Sequence, residues 1–201
     1  MSNILLITQT EGQTKIDIVK NYGELKKISG WQKQLRDQIS TDEIYPSKFA
    51  HKYEDLGAYA LTGLEGKIIG ENFLKEKQIE IIIAGENFGI GSSRIHAIQT
   101  LKDAGVKLIV AKSFYSVFRK NAINLAFPIS ENFDLLTKLS HFTTTELAMT
   151  KVEEKIIAAG GLINYLATSP KNPTKKNKKY SQTIAEKYLA KYANLPYVKP
   201  G

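Results

Sequence analysis

Residues 85 to 94 read Gly-Glu-Asn-Phe-Gly-Ile-Gly-Ser-Ser-Arg, and their types and spacing suit the binding of an anion. Gly89 and Gly91 let the backbone come close to a ligand, and Ser92 and Ser93 bring hydroxyl donors. Arg94 adds a planar fork matched to a carboxylate or phosphate. If a helix starts here, its unpaired amide N–H groups and positive dipole end strengthen the case. The segment reads as an anion cradle with a reactive hydroxyl inside it, although such a loop also suits a plain structural turn. Two common phosphate motifs do not fit. No Gly-Lys-Ser/Thr follows the glycines, and in Gly89-x-Gly91-x-x-Arg94 an arginine replaces the third small residue. Lys112, where a dinucleotide site needs an acid, closes the next strand. His51, His96 and His141 are far apart and suggest no metal cluster; His96 reads better as a packed or capping imidazole than as a ligand.

The elements that must position this loop alternate legibly. Ile79 to Ala84 is a nearly continuous β-branched run, as expected of a strand buried on both faces. A helix is expected from Ser92 or Ser93 to about Ala104, with Ile95, Ile98 and Leu101 on its apolar side and Gly105 as its stop. Val106 to Ala111 is a second buried strand. Ser113 is placed to cap a second helix with Phe114, Val117, Phe118 and Ile123 as apolar positions. Phe127-Pro128-Ile129 starts a third extended piece. The order strand–helix–strand–helix–strand predicts an α/β fold, with a partly parallel sheet flanked by helices. In open sheets of this kind ligands sit beyond the carboxyl ends of the strands, which is where residues 85–94 fall. The flanks are less regular: residues 36–49 are rich in polar turn formers, Thr62 to Ile69 turns, and residues 156–163 suggest a helix stopped by Gly160-Gly161.

The chain has 201 residues, enough to bury a core without staples, and 42% of them are hydrophobic. It has no cysteine, which excludes disulfides, cysteine nucleophiles and any thiolate-ligated zinc or iron–sulfur site built from this chain. No apolar run approaches the roughly 20 residues of a membrane span. The start, MSNILLITQT, does not resemble a signal peptide, so the expected location is cytoplasmic. The formal net charge of +8 belongs almost wholly to the tail: from Ser169 to Gly201 eight lysines face one acid, Glu186. The other 168 residues are nearly neutral and give no electrostatic case for nucleic-acid binding. Two regions are therefore expected, 1–168 and a basic C-terminal extension 169–201 made of a Lys-rich linker and a short helix from Ser181. That extension is either simply solvated or an arm for an acidic partner or nucleic acid.

Asn87 to Ala97, NFGIGSSRIHA, followed by Val106 to Ile129, resembles the swivelling β/β/α domain of the aconitase superfamily, most closely in the 3-isopropylmalate dehydratase small subunits. A second block, Asp37 to Pro46 (DQISTDEIYP), is similar to the loop of that family written D-x-I-x-TD-x-I-x-P. The resemblance covers residues 31–129 and more loosely those near 160. It implies a hydro-lyase that moves a hydroxyl between adjacent carbons of a small hydroxy-dicarboxylate, as in leucine biosynthesis. Ser92 matches the serine base and Arg94 the residue that clamps a substrate carboxylate. Ser93 matches a further substrate contact beside Gly91, and Asp42 an aspartate that supports the acid side of the site. Phe49, His51 and Lys52 fall where a specificity loop is expected.

The resemblance also implies an iron–sulfur large subunit as partner, because the family's four-iron four-sulfur cluster needs thiolates that this chain lacks. The chain alone is then inactive. Ile95 stands where the family has glutamate after the arginine, Ile90 where it has a small residue or cysteine, and residues 47–52 lack its tyrosine–leucine–arginine pattern. These departures leave open a homoaconitase-like or dimethylmalate-like substrate, or a divergent homologue that binds without catalysing.

Overall fold

The computed structural model describes residues 3–138, 149–168, 183–195 and 198. Its chain forms two units, Met1–Thr168 and Ser169–Gly201.

The first unit opens with a hairpin. Strand β1, Asn3–Thr10, pairs antiparallel with β2, Gln13–Val19, around Glu11-Gly12. Both turn residues have positive φ (53° and 77°), which matches the right-handed twist of the strands they join. Helix α1, Tyr22–Lys27, starts behind Asn21, whose side chain accepts the Glu24 N–H. Helix α2, Thr41–Ile44, is a single turn with a full capping box between Ser40 and Glu43. Helix α3 spans Phe73–Glu76. The regular part then follows as strand β3, Ile79–Ala84; helix α4, His96–Asp103; strand β4, Leu108–Ala111; helix α5, Ser116–Asn124; and strand β5, Ile129–Ser130. Helices α6, Lys151–Ala158, and α7, Leu162–Thr168, flank the glycine pair 160–161.

The five strands form one mixed sheet in the order β2-β1-β3-β4-β5, parallel except for the β1–β2 hairpin. Successive residues of the central strands serve opposite faces. Leu5, Ile7, Ile82, Ile109 and Ile129 join one apolar cluster with Ile98 and Leu101 of α4 and Phe118 of α5. Ile4, Leu6, Ile83, Leu108 and Val110 join another with Leu25 of α1, Trp31 and Leu35. A sheet covered on both faces explains why β4, most of β3 and Ile4 to Ile7 of β1 read as apolar runs. This is the expected α/β architecture with a partly parallel, helix-flanked sheet.

Three local expectations need correction. Helix α4 begins at His96, not at Ser92 or Ser93, and its cap residue Ile95 offers no side-chain acceptor. The serines are drawn sideways instead: Thr41 Oγ1 accepts the Ser92 N–H at 3.0 Å and Asn121 Nδ2 donates to the Ser93 carbonyl at 3.0 Å. Ser113 does not cap α5, which starts three residues later; its Oγ accepts the Asn87 N–H at 2.9 Å and so ties down the glycine-rich loop. The second strand is shorter than read, beginning at Leu108.

In the second unit, helix α8 spans Ile184–Tyr192 behind a Thr183–Glu186 capping box. Ser181 and the Lys-rich linker lie outside the described residues, as does His141.

Candidate functional site

Two sequence blocks that stand about 50 residues apart meet beyond the carboxyl end of β3. Main-chain bonds zip them together: the Gly85 N–H donates to the Arg36 carbonyl (2.8 Å), Gln38 to Glu86 (2.7 Å), Gly89 to Ile39 (2.8 Å) and Thr41 to Ile90 (2.7 Å). Ser40 and Ile90 form a parallel bridge in this ladder. Gly89 has a φ of +81°, and a Cβ on it would lie 2.2 Å from the Phe118 ring, so only glycine lets the loop pack this tightly on α5. From below, Arg36 pairs with Glu43 at 2.7 Å, both side chains largely buried, and so anchors the capping residue of α2.

The ladder delivers Ser92, Arg94 and Asp42 to one place. Ser92 Oγ accepts from Arg94 Nε at 2.9 Å and from the Arg94 backbone N–H at 3.2 Å. It also accepts from Thr41 Oγ1 at 3.3 Å. Arg94 Nη2 reaches Asp42 Oδ1 at 2.9 Å. That oxygen further accepts the Ser47 N–H at 2.9 Å and the Ser47 hydroxyl. The Ser47 hydroxyl, with help from Arg94, holds the Asp42 carboxyl below its ordinary range. Gly91 and Ser93 are exposed, while Ser92 and Arg94 are half-buried.

The 49–52 segment lies next to this cluster in sequence but is held by different contacts. Tyr45, itself buried, donates its hydroxyl to the Phe49 carbonyl at 2.6 Å and reaches that of Lys52 at 3.4 Å. Burial raises the Tyr45 phenol above its usual range, which keeps it a neutral donor. Phe49 stacks on Tyr59 with centroids 4.2 Å apart, while the side chains of His51 and Lys52 are exposed. His96 stacks on Tyr45 and lines an open groove of about 480 Å³ with Tyr53, Leu56 and Gln99. Among the described residues no three His, Asp or Glu side chains are grouped to hold a metal ion.

Of the residues that sequence reasoning singled out, Arg94 touches both Ser92 and Asp42, with Ser93 and Gly91 next to Ser92 in the chain. The bonds of the 49–52 segment go elsewhere: the Phe49 and Lys52 carbonyls face the Tyr45 hydroxyl and the Phe49 ring stacks on Tyr59. Thr41 was missed as a functional residue, although the signal was there: the D-x-I-x-TD-x-I-x-P block has a threonine at this position, directly before Asp42. The arrangement can bind an anion at the guanidinium and stabilise negative charge on one serine oxygen.

The chain is similar to known proteins in both sequence and fold. The aconitase C-terminal domain family matches residues 6–130. The methanogen homoaconitase small subunit of Methanocaldococcus jannaschii is 35% identical over 159 residues, covering 69% of this chain and 91% of that protein. The 3-isopropylmalate dehydratase small subunit 1 of Thermotoga maritima is 48% identical over 105 residues, 52% of this chain and 62% of that one. Among solved structures, a 3-isopropylmalate dehydratase from M. jannaschii superposes with a TM-score of 0.51 at 28% identity, over 65% of this chain and 87% of that one.

Proposed function

We propose a function from one premise: this chain belongs to the aconitase C-terminal domain family. It is the small subunit of a hydro-lyase that moves a hydroxyl between neighbouring carbons of a hydroxy-dicarboxylate by dehydration and rehydration. Isopropylmalate is the favoured substrate, since 3-isopropylmalate dehydratase is the name that recurs among its relatives. The observation that supports this most is the convergence of three donors on Ser92 Oγ.

Taking a proton from a carbon beside an ionised carboxylate is difficult, and a serine hydroxyl is a poor base in water. An alkoxide at Ser92 is stabilised by the Arg94 guanidinium and backbone N–H and by the Thr41 hydroxyl, all within 3.3 Å. As Ser92 takes the proton, its charge passes to the substrate, and the same guanidinium stands close to the developing negative charge. Two of the five N–H groups of Arg94 are used on Ser92 and Asp42, and the rest are able to meet a substrate carboxylate. Asp42 then acts as the residue that orients the fork, the task for which Ile95 has no charge. Ser93, exposed next to it, is a further contact for the substrate.

The leaving hydroxyl needs a Lewis acid, which a four-iron four-sulfur cluster supplies in this family. The groups around Ser92 do not fit such a cluster. They are hydroxyls, N–H donors and one carboxylate already tied to Ser47 and Arg94, and the chain has no cysteine. The cluster is therefore assigned to a large subunit, and the 37–52 and 85–94 loops to the face that meets it, where closure excludes water. We place the enzyme in the cytoplasm; among the described residues no helix is long and apolar enough to cross a membrane.

The test is turnover of the purified chain, alone and with its large subunit. Alone it is expected to be inactive. In the complex, Ser92→Ala is expected to lower kcat by about 100- to 10,000-fold with assembly unchanged. Turnover by the lone chain, or a Ser92→Ala complex running at the original rate, would sink the reading. A second substrate, of the homoaconitase class, is favoured by the coverage of the methanogen relative. A panel of hydroxy-acids on the reconstituted pair decides between them.

A further inference from the structure

We infer that Thr41 is a positioning residue for the Ser92 base, an inference that rests on the function proposed above. Thr41 is only 2% exposed, although it opens a short surface helix. A buried hydroxyl is costly unless satisfied, and among the described residues this one is satisfied by Ser92: Thr41 Oγ1 accepts the Ser92 N–H at 3.0 Å and donates to Ser92 Oγ at 3.3 Å. The two contacts act together. The first fixes where the Ser92 backbone sits, and the second leaves the Ser92 oxygen facing donors on both sides, Thr41 on one and Arg94 on the other.

The backbone of Thr41 is itself immobilised. Its N–H donates to the Ile90 carbonyl at 2.7 Å, and its carbonyl accepts the Tyr45 N–H at 2.9 Å. Gly91, with a φ of +115°, approaches so closely that a Cβ there would lie 3.2 Å from Thr41 Oγ1. The hydroxyl therefore has little freedom to turn elsewhere. A donor held in place before the reaction stabilises an alkoxide without reorganising as the charge forms. Thr41 does not reach the substrate in this role; it acts through Ser92.

The experiment measures kcat, KM and the pH profile of kcat/KM for the reconstituted complex carrying Thr41→Val, Thr41→Ala, Thr41→Ser or Ser92→Ala. Valine keeps the shape and removes the hydroxyl. Loss of one hydrogen bond to a charged group predicts a fall in kcat of roughly 10- to 150-fold, with KM within about threefold. The acid limb of the profile is expected to move to higher pH, because an alkoxide with one donor fewer binds its proton more tightly. Thr41→Ser, which keeps the hydroxyl, is expected to restore the rate and the limb. If Thr41→Val does not fold, Thr41→Ala against Thr41→Ser makes the same comparison. An inactive Ser92→Ala beside a hydroxyl-free Thr41 variant with unchanged kcat and pH profile overturns this inference alone. A Ser92→Ala complex with full turnover overturns both it and the proposed function.

Discussion

Arg94 has one nitrogen on Ser92 and another on Asp42, so its direction depends on whether Asp42 is ionised. The Asp42 carboxyl is held below its ordinary range, first by the Ser47 hydroxyl and then by Arg94. A depressed carboxylate contributes its interaction fully above the unfolded aspartate value, near pH 4, and loses it as the pH falls through the lowered native value. The tether is thus expected to be constant from about pH 5 to 8, and changes of rate in that window belong to other groups. Asp42→Asn removes the charge at every pH, and KM of the complex is expected to rise about tenfold with a smaller change in kcat, because a freed guanidinium clamps a carboxylate less well. Steady-state kinetics of the reconstituted pair at pH 7 checks this; an unchanged KM would remove Asp42 from the orienting role. Gly91→Ala tests the same geometry from the other side. At a φ of +115° the new Cβ strains the backbone and crowds Thr41 Oγ1. Turnover is expected to fall at least about tenfold. Because Gly91 is exposed, the melting temperature is expected to drop by only a few degrees.

Helices α5 and α6 are joined by Arg119 Nη1 and Glu153 Oε1 at 2.9 Å, with both side chains largely shielded. Glu153 is also the third residue of the α6 capping box, accepting the Thr150 N–H at 2.8 Å, and these contacts lower its pKa, the Thr150 N–H most of all. Glu153→Ala loses the glutamate half of the capping box and the ion pair together, while Thr150 still caps the helix, and is expected to cost about 1–2 kcal/mol in urea unfolding. In the unaltered chain this contribution fades as the pH falls below about 4, through the lowered glutamate value, so the difference between the two proteins is expected to narrow in acid. A constant difference from pH 7 to 3 would contradict that assignment. The elements around the site were legible because each is coded locally: β3 and β4 by β-branched runs, the loop by its glycines, α4 by its apolar spacing. The capping serines misled because a serine before a helix signals a cap only if no distant donor or acceptor competes, and Thr41, Asn121 and Asn87 do compete. The N-terminal hairpin went unread, although Ile4 to Ile7 and the Glu11-Gly12 turn carry its pattern. The role of Thr41 was illegible for a deeper reason. The Thr-Asp pair of the 37–46 block marks its position, but its contact with Ser92 comes from a ladder between residues about 50 apart, which no local pattern encodes.

Among the described residues both apolar clusters of the first unit are drawn from positions 4 to 136, on the two faces of one sheet. The charge is distributed differently, since eight of the 28 Lys and Arg residues, and nearly all of the net +8, follow residue 168. Core and charge being separable, removing residues 169–201 is expected to leave the melting temperature of the rest within about 2 °C, because stability follows buried apolar area and not net charge. The same truncation is expected to abolish retention on an immobilised polyanion such as heparin. If the lysines are what is retained, the full chain must also elute earlier as salt rises, since each phosphate or sulfate contact releases a counterion. Retention by residues 1–168 would place the polyanion contact on the nearly neutral body instead. A fall in melting temperature of 5 °C or more would mean that this core is not complete without the last 33 residues. Full turnover of the complex after truncation would assign the chemistry to the body and leave the basic extension outside it.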